Sequence, residues 1–394
     1  MGETVIAAGV RTPIGKFQGA LSGFSAMDLG GQVIAEALKR AGITGDQVDY
    51  VIMGHVLQAG QGQITSRQAA VKGGIPMTIP AVTVNKVCLS GLNAIALADQ
   101  LIRAGEIELA VAGGMESMTN APYFLPGARA GLRMGDAKLI DSMVHDGLWC
   151  AFDNRHMGDS TEDVNRKLGI GRAEQDEWSA RSHEKAAAAT KEGRFADEIL
   201  GVAVPQRKGD PVVVEADEGI RAGTTAESLG ALRPAFQKDG TITAGNASQI
   251  SDGACATVVT SREKAEAMGL PILATVIAHG MVSGPDTSLQ SQPANAIKKA
   301  LAKSGLKASD LKVVELNEAF AAVALWSTRE LGISEDIVNV NGGAVALGHP
   351  IGCSGARVVL TALMELRRRG GGYAAAALCG GGGQGDALIV RVEG

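Results

Sequence analysis

A chain of 394 residues can bury a large core and is long enough for two or three domains. Hydrophobic residues at 45% and charged residues at 20% fit a globular enzyme, whereas aromatics at 3% leave little for a base-stacking surface. A net charge of −5 without any Lys/Arg block excludes a global basic field for nucleic acid or membrane, so an anionic ligand must meet local donors.

The chain opens on MGETVIAAGVRTP, which reads as a strand and lacks the charged segment, apolar core and cleavage site of a signal peptide. From Ile34, IAEALKRAGITGDQVDYVIMG predicts an amphipathic helix, a glycine cap at Gly42, a polar loop and a strand. In VTVNKVCLSGLNAIALADQLI, a β-branched strand stops at Cys88 and Ser-Gly lets a helix begin, with Leu92, Ile95 and Ala96 at helical spacing. A thiol there faces the positive end of the helix dipole, which favours the thiolate; the structural alternative is a buried packing cysteine. The strand ELAVA then runs to Gly113.

Asn120 to Thr243 follows a different pattern. NAPYFLPGARAGLRMGD has no period, Arg172–Gly193 predicts a charged helix, and polar turns with short strands follow. This stretch reads as an insertion forming its own lobe, after which AGNASQISDGACATVVTS returns the chain to the core. The last third repeats the first. IKKALAKSGLKASDLKVVELN, from Ile297, matches the segment from Ile34, and three landmarks recur in order. The spacing is 263 from Gly42 to Gly305, 265 from Cys88 to Cys353 and 267 from Gly113 to Gly380. Three ordered matches predict two copies of one α/β unit. The expected division is 1–119 with about 244–270 as one half, 120–243 as the inserted loop domain, and 271–394 as the other half.

The five cysteines and six histidines show no metal or disulfide spacing. No apolar run approaches the ~18 residues of a transmembrane helix, so a soluble, cytoplasmic protein is expected. GGGGQG matches the dinucleotide fingerprint at Gly380, Gly382 and Gly385, but DALIVRV after it reads as a strand where that motif requires a helix.

Four segments bring chemistry to loop positions at strand ends, where function concentrates. Cys88 comes from the first copy. Asn317 in ELNEAFAAVA, His349 in NGGAVALGHPIGCSGAR and Cys379 in AAALCGGGGQGD come from the second. Two cysteines, an imidazole and a carboxamide make a set for carbon–carbon bond chemistry on a thioester. A Cys beside an imidazole is an acyl-transfer nucleophile. A second thiolate can remove an α-proton, and donors from Asn317, His349 and the Gly380–Gly383 run can hold oxyanions. Structural alternatives exist for each: a buried thiol at Cys379, a turn fixed by His349 before Pro350, and a helix N-cap at Asn317. Cys353 shares the Ser-Gly context of Cys88, while Cys150 and Cys255 read as packing.

The motifs NKVCLSG, NEAF, GHPIGCSGAR and CGGGGQG, together with GVRTPIGKFQGAL at Gly9, occur in an order that resembles the thiolase family along essentially the whole chain. The resemblance implies an α/β thiolase-like fold, two duplicated halves packed face to face with an inserted loop domain. It implies an acetyl-CoA C-acetyltransferase activity in which two acetyl-CoA give acetoacetyl-CoA and CoA. Cys88 would carry the acyl group, His349 would activate it and Cys379 would be the acid/base. Asn317, through a water, and His349 would hold the enolate oxygen, and the N–H groups of Cys88 and Gly381 the other oxyanion. Coenzyme A would contact Leu148, His156, Met157, Arg221, Leu232, Phe236, Ala244, Ser248, Ala319 and Phe320. The thioesters are substrates, so neither cofactor nor metal is implied. A homodimer or homotetramer is, with NAPYFLPGARAGLRMGD as a contact.

Two departures from the family pattern, Leu89 and the long segment around Pro285, lie near the expected acyl end. A degradative 3-ketoacyl-CoA thiolase of broader chain length is therefore the nearest alternative. A ketoacyl synthase would call for other histidine motifs and a basic docking patch, and a non-catalytic acyl-CoA-binding relative would be expected to lack Cys88 or Cys379.

Overall fold

The computed structural model describes residues 2–394. In the first copy the principal elements are β1 (Thr4–Arg11), α1 (Ala26–Ala41), β2 (Tyr50–Gly54), α2 (Thr65–Lys72), β3 (Ala81–Val84), α3 (Ser90–Ala104) and β4 (Leu109–Ser117). A long excursion with helices α4 (Met157–Leu168) and α5 (Arg172–Lys191) precedes β5 (Ser251–Ser261). The second copy runs β6 (Ala274–Ser283), α6 (Gln292–Ser304), β7 (Leu311–Leu316), α7 (Ala321–Leu331), α8 (Ser354–Arg368), β8 (Gly372–Gly380) and β9 (Gln384–Val392).

Local chemistry sets these boundaries. Ser25 and Asp28 form a reciprocal capping box at the start of α1, and its end is a left-handed Gly42 with φ 73°. Helix α6 ends the same way at Gly305, φ 74°. The apolar stripe Leu29, Val33, Ile34, Ala37 and Leu38 turns α1 onto the sheet.

The strand order is β7-β8-β9-β6-β1-β5-β4-β2-β3, with Gly15–Lys16 pairing onto β5. β1 and β6 join the copies antiparallel over Thr4–Ile6. Outward from that seam, each copy repeats one order: two antiparallel pairings, then a parallel one. In the second copy the single parallel bridge Val314–Val338 stands where the first has β3. Between β4 and β5 the chain travels from Met118 to Ile250, but between β8 and β9 only through Gly381–Gly383.

Helices α3 and α8 lie between the sheet faces of the two copies. Leu92 and Ile95 of α3, Val359 and Leu363 of α8, Ile52 and Val259 of one copy and Val313 and Leu388 of the other share one buried cluster. The outer faces are covered by α1 and α2 on one side and by α6 and α7 on the other. Strands covered on both faces are buried almost end to end, as in β1, β4 and β5, with an apolar middle and buried polar groups such as Arg11, Glu116 and Asp252 toward their ends. The central helices meet at glycines: a Cβ on Gly91 would sit 2.7 Å from the Ala356 nitrogen, and one on Gly355 would strike the Leu92 backbone.

One expectation needs correction here. Val87–Ala104 is long and apolar enough for a membrane span by length and composition, although no such run was expected. Most of it is the central helix α3, whose apolar face packs between the two sheet faces, and 61% of it is buried.

Candidate active site

The ends of α3, β7 and β8 and the loop before α8 converge on one apolar cavity of about 180 Å³. Cys88, His349, Cys379 and Gly381 line it, and all three side chains are almost fully buried. Asn317, just beyond β7, stands behind the lining, with Nδ2 3.3 Å from His349 Nε2. It does not cap the helix: α7 begins at Ala321 with Phe320 as its N-cap.

The His349 ring is oriented by its other nitrogen. The Ser354 hydroxyl donates to the Pro350 carbonyl (3.0 Å) and lies 2.6 Å from Nδ1, so it accepts from an Nδ1–H. This network leaves Nε2 as an acceptor facing the Asn317 amide. Asn317 Oδ1 is buried without a protein partner. Burial, reinforced by the positive Arg357, pushes the imidazole down to about 3, so it is neutral and can take a proton.

The thiols behave differently from the expectation at Cys88. Helix α3 starts at Ser90 with Leu89 as N-cap, which leaves Cys88 outside the first turn. Burial, with the Glu116 carboxylate adding to it, pushes Cys88 up to about 12. Burial, with Cys88 nearby, also raises Cys379 well above the ordinary thiol range. The resting pocket therefore holds two neutral thiols and a neutral imidazole.

Of the expected coenzyme A contacts, Leu148, His156, Met157, Phe236, Ser248, Ala319 and Phe320 line the same cavity. The His156 ring packs on Phe236 at 4.7 Å, its Nδ1 accepts from Gly158 N–H, and burial lowers its pKa. Arg221, Leu232 and Ala244 do not line the cavity and are exposed. Leu89 is not at the acyl end either. It points into the central core against Gly380, while Leu289 of the long Pro285 segment does reach the wall.

Sequence reasoning missed Met118, Ala247, Gln249, Ile250, Leu289 and Ile351 in the lining. It also missed the carboxylates that pin the loops. Glu318 is fully buried and accepts from Trp178 Nε1 (2.9 Å), Asn339 Nδ2 (2.9 Å), Ser182 Oγ (2.8 Å) and Val345 N–H (3.0 Å). Glu116 accepts from the N–H groups of Val56, Leu57 and Gly352 at 3.1, 3.2 and 3.0 Å.

The thiolase N-terminal domain model matches residues 4–263, and the thiolase C-terminal domain model matches residues 270–392. The chain belongs to the thiolase family. Among its relatives, this thiolase is 60% identical over 387 residues to a probable acetyl-CoA acetyltransferase of Mycolicibacterium smegmatis, covering 98% of this chain and 100% of the relative. It is 52% identical over 388 residues to an acetyl-CoA acetyltransferase of Pseudomonas aeruginosa, covering 98% and 99%. An acetyl-CoA acetyltransferase of Cupriavidus necator is 49% identical over 368 residues, covering 93% and 94%. In this thiolase the two thiols come from different copies of the duplicated unit, Cys88 from the first and Cys379 from the second.

Proposed function

We propose that this thiolase is an acetyl-CoA C-acetyltransferase, condensing two acetyl-CoA reversibly to acetoacetyl-CoA and CoA through an acyl-Cys88 intermediate. The observation that carries the reading is Cys88, His349 and Cys379 lining one apolar pocket. The names of its full-length relatives support the acetyl substrate.

The cycle closes its proton balance with the groups present. Cys88 Sγ attacks the thioester carbonyl as its proton passes to His349 Nε2. The coenzyme A thiolate leaves with the Cys379 proton. The Cys379 thiolate then takes the α-proton of a second acetyl-CoA, and the enolate attacks the acyl-enzyme carbonyl. The Cys88 thiolate departs and is reprotonated by His349. Asn317 and His349 face the enolate oxygen, and the N–H groups of Cys88 and Gly381 the tetrahedral oxyanion. No resident cofactor is needed.

Short-chain preference is read from the buried cluster in which Val56, Leu57, Met118 and Ile351 pack with Cys88. The inserted segment 120–243 is read as the coenzyme A-binding domain, with exposed Arg221 outside the pocket toward the nucleotide end. Self-association is supported by exposed apolar surface. Among the described residues β3 has no partner on its outer edge, with Met77 63% and Ile64 50% exposed nearby, and Met134 in the segment after Asn120 is 97% exposed.

The test joins two measurements. Incubation with acetyl-CoA should add about 42 Da, one acetyl group, to the Cys88 peptide. Cys379→Ala should still acylate but stall before condensation, whereas Cys88→Ala should do neither. Rates with 3-ketoacyl-CoA thioesters of four to sixteen carbons should fall with length, and a preference for sixteen would overturn the acetyl assignment.

A further inference from the structure

The turn that delivers Cys88 is strained. Val87 has φ 51°, in the left-handed region where a β-branched side chain is an outlier. Local ties hold it. Val87 N–H donates to Asn85 Oδ1 at 3.1 Å, Lys86 N–H donates to Ser90 Oγ at 2.8 Å, and that hydroxyl donates to the Val87 carbonyl at 2.6 Å.

A further tie crosses to the other copy. Lys86 Nζ donates to both carboxylate oxygens of Asp386, at 2.8 and 2.9 Å. Asp386 is fully buried on β9, Asn93 of α3 adds a donor at 3.3 Å, and the His279 ring lies 3.8 Å away. Across the β8–β9 pairing, Asp386 stands opposite Leu378, and the neighbouring pair is Cys379 with Gly385. The ion pair thus joins the residue two before one thiol to the strand beside the other. Side chains flanking Cys88 press on the same segment. A Cβ on Gly380 would meet Leu89 at 2.6 Å, and one on Gly381 would meet Val87 at 3.5 Å.

We infer that Lys86 and Asp386 form a positioning pair that keeps the Val87 turn closed and sets the register between the Cys88 and Cys379 thiols. Carbon–carbon bond formation uses both thiols at once and depends on that register. Acyl transfer to Cys88 uses the Cys379 proton only to quench the departing coenzyme A thiolate, a good leaving group without it, and so depends on the register less. The inference rests on the condensing role proposed above.

The test compares Lys86→Met, Lys86→Arg and the doubly neutral Lys86→Met/Asp386→Asn with the parent. The readouts are the rate of Cys88 acetylation by acetyl-CoA, the rate of acetoacetyl-CoA formation, and the unfolding midpoint. Lys86→Met should slow condensation by about 30-fold or more while changing acetylation by less than about 3-fold, and Lys86→Arg should return condensation to within about 5-fold. The double variant leaves no orphaned charge and should reproduce the split even if the single variant fails to fold. Equal losses in both half-reactions, or no loss in either, would overturn the inference. An unfolded double variant would also overturn it, because the pair would then serve folding. A parent chain that Cys88 acetylation never marks would count against the proposed function instead.

Discussion

Replacing Glu318 by Gln changes one atom and tests how firmly Asn317 is held. The native carboxylate takes four donors, from a tryptophan on α5, an asparagine side chain, a serine hydroxyl and the Val345 backbone. A glutamine can accept with one end only, so its amide nitrogen must face two of those donors. If that end faces the Ser182 and Val345 side, the serine hydroxyl can turn away. The Val345 N–H cannot, and an orphaned buried donor costs about 1–3 kcal/mol. The surviving bonds also fall from charge-assisted to neutral strength, about 1 kcal/mol each. The expected loss is about 3–5 kcal/mol, a large share of the ~5–15 kcal/mol that holds a typical domain together. Urea unfolding of the two proteins, with equal slopes, measures it. Condensing activity should fall in parallel because Asn317 is the adjacent residue. A loss below about 1 kcal/mol would refute the claim that this carboxylate pins the loops.

Two further outcomes follow from the geometry. Because burial holds Cys88 near 12, the group is a neutral thiol at lower pH, and thiolate ultraviolet absorbance should not differ between the parent and Cys88→Ala from pH 7 to 9. A titration step in that range, absent from the variant, would show that the helix dipole dominates after all. Gly355→Ala should destabilise by about 1–3 kcal/mol, because the added methyl strikes the Leu92 backbone where α3 and α8 cross. An unchanged unfolding midpoint would mean the two helices can separate without cost.

The duplicated fold was legible because each copy writes the same local signals, a glycine-capped helix before a strand and Ser-Gly after a cysteine. The lining residues Cys88, His349 and Cys379 were legible because short motifs place them at strand ends. What escaped depends on distant contacts. Lys86 and Asp386 are 300 residues apart, and no local pattern links them. The protonation of Cys88 was misjudged because a helix start is visible in sequence and desolvation is not. Leu89 was misplaced for a similar reason: one residue along this turn, a side chain leaves the pocket and enters the core. The hydropathy of Val87–Ala104 was likewise ambiguous, since a helix enclosed by protein has the composition of one enclosed by lipid.

The two copies also explain why one of two matching cysteines lies in the cavity. Cys353 caps α8 as the counterpart of the Cys88 turn, yet it packs into the central cluster beside Arg357, and burial pushes its thiol up to about 12. The difference arises from the connections between matching strands. After β4 the chain leaves through the long excursion, which places Leu148, His156, Met157 and Phe236 over the second copy's Ala319–Phe320 and Gly380–Gly381. After β8 it turns back within three glycines. The cavity walled by the excursion is where the first copy's cysteine meets the second copy's histidine and cysteine. The serines after the two cysteines have diverged accordingly: Ser90 braces the Val87 turn, and Ser354 orients the His349 ring. The two copies have matching helix starts, and the residues of the long excursion that line the cavity beside Cys88 make them chemically unequal.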